Sequence, residues 1–171
     1  IFDIEFILLK ETTRMRLSII TNSCSPHPEQ SGEGMDYLVG GDGNDLLSGN
    51  SKNDILIGDA GNDILYGGTD IDSMVGGDGN DTFYKDSEDD IMVEAVGAGD
   101  DWVYSSINIH QLQDNIENIV IYGALTGANS FAVGNSVNNK IYVAQLDFGF
   151  FPPISHEAGV TLSGGLGNDT L

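Results

Sequence analysis

Aspartate recurs every nine residues through the middle of this chain: Asp36, Asp45, Asp54, Asp63, Asp72, Asp81 and Asp90, then Asp101 after two extra residues. Most of them close a turn-forming run, and Gly40-Gly41-Asp42-Gly43-Asn44-Asp45 and Gly76-Gly77-Asp78-Gly79-Asn80-Asp81 are the fullest of these. Stacked carboxylates about 5 Å apart repel by a few kcal/mol per neighbouring pair at an effective dielectric near 20. A dication between successive turns reverses the sign. Ca²⁺ takes six to eight oxygens at about 2.3–2.6 Å, from carboxylates and backbone carbonyls alike. Glycine-rich turns bring carbonyls close enough to supply what the carboxylates do not, so calcium is the fitting ion.

The elements that would place these aspartates follow from the same period. The chain divides into blocks 31–39, 40–48, 49–57, 58–66, 67–75, 76–84, 85–93 and 96–104, each with Asp in sixth place. Eighth place is large and apolar throughout: Leu38, Leu47, Leu56, Leu65, Met74, Phe83, Met92 and Val103. The first six residues suit a turn, because glycine and asparagine tolerate positive φ. The last three, such as Leu46-Leu47-Ser48, suit a short strand whose alternation sends the eighth-place side chain to one face. Two blocks then make one coil of a flattened helix, with parallel strands on each side and a thin apolar core. The expected fold is all-β, a right-handed parallel β-roll, that is, a β-helix solenoid of nonapeptide repeats.

Alternate turns fall on opposite edges of such a roll. The odd edge carries Asp36, Asp54, Asp72 and Asp90; the even edge carries Asp45, Asp63, Asp81 and Asp101. Fourth place on the even edge is always glycine (Gly43, Gly61, Gly79, Gly99), whereas the odd edge has Lys52 and Asp70 there, and 85–90 has no glycine. The strong metal ligands are therefore expected among Gly41, Asp42, Gly43 and Asp45, then Asp59, Gly61 and Asp63, then Gly77, Asp78, Gly79 and Asp81, and finally Gly97, Gly99 and Asp101. Up to three ions would lie between these four turns. Asp36, Asp54, Asp72 and Asp90 form a weaker edge, least occupied around Lys52 and Lys85. Tyr66, Tyr84 and Tyr104 follow Ser48 in the outward ninth place of the even strands, where their rings are expected to stack along the sheet.

The rest of the chain sets limits. Of 171 residues, 27 are Asp or Glu and six are Lys or Arg, giving a formal charge of −21. Such a surplus argues against nucleic acid and anionic membrane surfaces as partners. All but four of the acids follow residue 30, so the acidity belongs to the repeats. Hydrophobic residues make up 40%, too many for a plain Gly/Asp linker. Cys24 is alone, which excludes a disulfide framework within the chain. No apolar run approaches the ~18 residues of a membrane-spanning helix. Residues 1–30 lack the repeat and read as a cap or the tail of an upstream domain. Residues 105–143 read as Asn-rich coils, with a strand over 115–123; 144–160, with Pro152-Pro153, reads as a loop or insertion. Residues 161–171 restart the repeat at Gly164-Gly165-Leu166-Gly167-Asn168-Asp169, where the chain stops before a partner turn. Beginning at Ile1 and ending inside a repeat, the chain reads as a piece of something longer.

The Gly-Gly-Asp-Gly-Asn-Asp runs resemble the nonapeptide repeats of RTX, or haemolysin-type, calcium-binding proteins. The resemblance is strong over 31–104 and resumes at 161–171. It implies a parallel β-roll with Ca²⁺ between consecutive turns of one edge, export by the type I secretion machinery, and folding on meeting calcium outside the cell. It also implies a C-terminal module attached to a secreted protease, lipase or epimerase, yet no catalytic set stands in this chain. His156-Glu157 lacks the second histidine of a zinc protease and no Gly-x-Ser-x-Gly elbow occurs. His27, His110 and His156 are scattered and read as surface residues. An EF-hand fails for want of a Glu at the twelfth loop position. An adhesin or ice-binding solenoid would need regular outward Thr or aromatic ranks, to which only the tyrosines correspond. Disorder is the remaining alternative and fits the calcium-free state, since metal binding can be coupled to folding.

Overall fold

The computed structural model describes residues 15–19, 29–30, 34–107, 109–122, 130–144 and 160–171. Cys24, His27, His156 and residues 145–159 lie outside the described residues. The described strands are all parallel and form three sheets. The first takes the odd strands β1 (Met15–Ile19), β3 (Met35–Asp42), β5 (Ile55–Ala60), β7 (Ser73–Asp78) and β9 (Ile91–Val93), in that order. The second takes β2 (Glu29–Gln30), β4 (Leu46–Ser51), β6 (Ile64–Thr69), β8 (Thr82–Lys85), β10 (Trp102–Ser105), β12 (Asn118–Tyr122) and β14 (Lys140–Ala144). A third holds β11 (Ile109–Gln111), β13 (Ser130–Val133) and β15 (Val160–Ser163).

This is the β-roll expected from the nine-residue period. Register confirms the coil length: Leu38 pairs with Leu56 and Leu56 with Met74 in one sheet, Leu47 with Leu65 and Leu65 with Phe83 in the other. The eighth-place residues Leu38, Leu47, Leu56, Leu65, Met74, Phe83, Met92 and Val103 are the buried core of the roll. Leu112, Ile116, Ile119, Ile121, Ala132 and Ile141 continue that core beyond the repeats.

Three features depart from the simplest reading. The regular strands run past their three expected residues into the turns, where Gly41 pairs with Asp59 and Asn50 with Gly68. Backbone pairing therefore continues round the corner, because every coil repeats the same left-handed residue at the same height. Secondly, two stretches of the segment 1–30 add one strand to each of the first two sheets, β1 on β3 and β2 on β4. Thirdly, the strand read over 115–123 begins only at Asn118, since Asn115 adopts φ +65° and turns the chain.

Among the described residues the odd sheet ends at β9. In place of another strand, the Gln113 side chain accepts from Met92 N–H at 2.8 Å and donates to Asp90 O at 3.4 Å, while Asn115 donates to Glu94 O. On the outer face of the even sheet, Tyr66, Tyr84 and Tyr104 stack with centroids 4.0 and 5.2 Å apart. A hydrogen bond with Tyr66, then burial, pushes the Tyr84 hydroxyl up to about 12. The rings of this column stack face to face along the outer side of the sheet, an arrangement that suits a structural role. No helix among the described residues is long and apolar enough to cross a membrane.

Candidate metal centre

Each coil returns the chain to the same edge, and the aspartates stack as the period requires. Their mutual contacts are directional. Oδ1 of each aspartate accepts the backbone N–H of the aspartate one coil earlier: Asp54 from Asp36 (2.7 Å), Asp72 from Asp54 (2.9 Å) and Asp90 from Asp72 (3.0 Å) on the odd edge. On the even edge Asp63 accepts from Asp45 (2.8 Å), Asp81 from Asp63 (2.7 Å) and Asp101 from Asp81 (2.8 Å). Fifth-place asparagines bond in the opposite sense. Asn44 Oδ1 accepts Asn62 N–H, Asn62 accepts Asn80, and Asn80 accepts Asp100, at 2.8 to 2.9 Å. The odd edge has one long counterpart, Asn53 with Ile71 N–H at 3.4 Å.

One carboxylate oxygen of each pair is thus committed to the backbone. The other is buried without a hydrogen-bond partner at Asp36, Asp54, Asp63, Asp72, Asp81 and Asp101. Buried anionic oxygens left this way are costly, and a coordinated cation is one of the few groups that satisfies them. Backbone oxygens converge on the same points. A Cβ placed on Gly40 would lie 2.8 Å from Asp45 Oδ2 and 2.9 Å from Gly58 O. Gly49 and Gly58 stand likewise against Asp54 with Gly67 O, and Asp63 with Gly76 O. First-place glycine keeps a cradle of oxygens free of side chain, as a hard cation needs.

The field at these sites is that of crowded, desolvated anions. Burial, reinforced by the neighbouring aspartates, raises Asp54, Asp63 and Asp101 to about 6 and Asp72 to about 7. Asp81 is raised as well, chiefly by burial. A bound dication would remove the like-charge cost and restore full ionisation.

The two edges differ in backbone rather than in carboxylates. Fourth-place φ is +129° at Gly43, +137° at Gly61 and +130° at Gly79, a region essentially confined to glycine. At Lys52 and Asp70 it is +84° and +85°. The last odd turn is built differently again. Asp90 Oδ2 accepts from the N–H groups of Asp86 and Ser87, and the buried Lys85 ammonium donates to Glu88 O (3.0 Å) and Asp90 O (2.8 Å). A tethered cation thus sits on that turn's own carbonyls. Among the residues expected as strong ligands, Asp42, Asp59 and Asp78 have exposed side chains, outside the column of buried oxygens.

Residues 30–65, 39–74 and 57–92, and again 161–171, match the family of RTX calcium-binding nonapeptide repeats, four copies in all. These segments are RTX repeats. No curated protein and no solved structure matches the chain. RTX repeats bind Ca²⁺, and the oxygen-only donor set, the orphaned carboxylate oxygens and the glycine cradles here all fit that ion.

Sequence reasoning missed three features of the RTX roll. Glu94, the first of the two extra residues before 96–104, stands 18 positions after Gly76, in the first place of its coil. Its side chain is buried, Oε2 accepts from Gly77 N–H at 3.4 Å, and Oε1 has no partner. Counting whole coils forward from Gly76, instead of backward from Asp101, would have found it. The second feature is the inward Lys85, also in first place. The third is that buried asparagines close the coils beyond 104. Asn118 Nδ2 donates to Asp101 O at 2.9 Å, and Asn139 Nδ2 to Ile116 O and Glu117 O at 3.1 Å. Amide N–H groups there bond to main-chain carbonyls of the preceding coil. In the returning repeat Asp169 Oδ1 accepts from Asn139 N–H at 2.9 Å, the same rung 30 residues apart.

Proposed function

We propose that this chain is a calcium-triggered structural module of an exported RTX protein, unfolded or loose at low calcium and folded outside the cell. Calcium binding by a structural β-roll is the established part; export, type I secretion machinery as the partner, and extracellular folding are the proposal. The observation that carries it is the row of buried carboxylate oxygens without hydrogen-bond partners at Asp36, Asp54, Asp63, Asp72, Asp81 and Asp101. A roll one side chain thick cannot keep so many desolvated anions folded without a counter-ion. Its folding free energy is therefore largely its metal-binding free energy. Extracellular calcium modules work at about 10⁻⁴–10⁻³ M, a range that separates the outside of a cell from its interior. The strong sites belong to the even edge, where the fourth-place glycines Gly43, Gly61 and Gly79 share one left-handed geometry, Gly99 departing from it, and an asparagine ladder holds the cradle. Catalysis is not assigned to these residues, because the ladder aspartates are committed to backbone N–H groups; any parent activity, protease, lipase or epimerase, would reside outside them.

Far-UV circular dichroism during a calcium titration, followed by chelation, tests this directly. A reversible gain of β-signal with a midpoint near millimolar calcium is expected. A spectrum indifferent to both calcium and chelator would refute the calcium trigger.

A further inference from the structure

Asp81, Glu94 and Asp101 bring one carboxylate oxygen each within 4.8 Å of one another, and all three side chains are buried. The cluster lies at the last even-edge step, between the turns that end at Asp81 and Asp101. Earlier steps have two aspartates and a first-place backbone carbonyl: Gly58 O over Gly40, Gly76 O over Gly58. At this step the place of that carbonyl is taken by a carboxylate. A Cβ on Gly76 would meet Glu94 Oε1 and Asp81 Oδ2. Glu94 is 6% exposed, and Oε1 finds no hydrogen-bond partner, nor does Oδ2 of Asp81 or Asp101. Each of the three residues therefore brings a carboxylate oxygen to one small buried cluster, and each keeps an oxygen without a hydrogen-bond partner. Two inserted residues, Glu94-Ala95, make this possible: they let the chain carry a long side chain in first place and still regain the aspartate rung, since Asp81 N–H reaches Asp101 Oδ1 across 20 residues at 2.8 Å.

We infer that Asp81, Glu94 and Asp101 form a three-carboxylate metal site distinct from the repeating ones, which binds before them and anchors the calcium ladder at its C-terminal end. This deepens the calcium reading above and rests on it. Hard-cation affinity rises with the number of anionic ligands in a site. Three carboxylates exactly neutralise a trivalent lanthanide and over-neutralise Ca²⁺, so this site should also show the steepest preference for the trivalent ion. The neighbouring structure favours such an anchor. Beyond it the coils are closed by Asn118 and Asn139 amides, and the odd edge is closed by the Lys85 ammonium. The three-carboxylate site stands where the aspartate ladder meets turns closed by amide and ammonium groups.

The chain's single tryptophan, Trp102, follows Asp101 directly, so terbium(III) emission excited through tryptophan reports on the even-edge sites around it, and the Glu94 variants assign the signal to this one. The full chain is titrated with terbium(III), and separately with calcium by calorimetry, as wild type, Glu94→Gln and Glu94→Gly. Glu94→Gly installs the first-place residue of the regular coils and guards against a simple folding failure. Expected for the wild type is tryptophan-sensitised emission that saturates within the first metal equivalent. In both variants that phase should move to at least about tenfold higher metal, while the calcium-induced β-signal survives. Sensitised emission unchanged in both variants, or appearing in the wild type only after later equivalents, would overturn the anchor site and leave calcium binding by the repeats intact. A wild type that binds neither ion would instead overturn the calcium reading itself, and the inference with it.

Discussion

Asp63→Asn exchanges one oxygen of the even-edge ladder for an amide nitrogen, and the calcium-free and calcium-loaded proteins should respond in opposite directions. In the free protein the Asp63 carboxylate is buried and raised from 3.8 to about 6. Two units amount to about 3 kcal/mol against the ionised form at neutral pH. Asparagine removes that cost and keeps Oδ1 as acceptor for Asp45 N–H, now at 2.8 Å. Its amide nitrogen falls near Gly76 O, the carbonyl that shares the Gly58 cradle. Asn139 shows that this chain already uses buried asparagine to close a coil. After attenuation by relaxation and water entry, a net gain of about 1–2 kcal/mol is expected for the apo fold. Titration with trimethylamine oxide in chelator, followed by circular dichroism, should show a lower folding midpoint than wild type. In calorimetry the same variant should bind calcium at least about tenfold more weakly at the affected step, and Asp54→Asn on the odd edge should lose less. Refutation would be an Asp63→Asn apo protein as destabilised as Asp63→Ala, which lacks both the charge and the Oδ1 acceptor. The ionised carboxylate would then stabilise the apo fold in a way the amide cannot, and its burial would not be a net cost.

Acid should partly replace calcium. Asp54, Asp63 and Asp101 at about 6, Asp72 at about 7 and Glu94 at about 8 all lie above their unfolded values of 3.8 and 4.5. The native chain thus holds more protons than the unfolded one between about pH 4 and 8, and apo stability falls as pH rises through that window. Circular dichroism in chelator should show more β-signal near pH 5 than near pH 8, and calcium affinity should rise over the same interval. Gly61→Ala should lower the urea midpoint in saturating calcium more than Gly43→Ala. Both positions have left-handed φ, +137° and +129°, but only at Gly61 would the added methyl run into a backbone carbonyl, that of Gly43. Lys85→Met should leave Glu88 O without its donor and Asp90 O with only the 3.4 Å bond from Gln113, at about 1–3 kcal/mol for an orphaned carbonyl. A melting temperature several degrees lower in saturating calcium is expected, and an unchanged one would remove Lys85 from any role in closing the odd edge.

The roll itself was legible because two independent signals share one period. Sixth-place aspartate and eighth-place apolar residues leave no other way to stack the coils, and Leu47, Leu65 and Phe83 occupy the core positions that the period assigns. The strand extensions were less so. Pairing of Gly41 with Asp59 depends on turn geometry repeated between coils, which propensity within one coil does not express. The inward turn of Glu94 and of Lys85 was missed for one physical reason. Both occupy the inward first place, where five glycines precede them, yet a charged residue in a turn ordinarily points to water. Only three-dimensional burial shows that each is turned onto its own edge. Asn118 and Asn139 hid in a stretch legible as Asn-rich, and composition does not show that their amides donate to carbonyls of the preceding coil.

The coil of 18 residues also sets a length. Drawn out, that much chain spans about 60 Å; wound into the roll it adds one strand spacing, about 5 Å, to the long axis. Each coil that closes therefore gathers in about 55 Å of chain, and each that opens returns it. Because every aspartate rung bonds one coil to the next, the roll should lengthen under tension in coil-sized steps, not as a continuous stretch. With calcium holding the rungs, the steps should come at higher force, so the molecule would behave as a spring whose stiffness is set by the ion concentration around it.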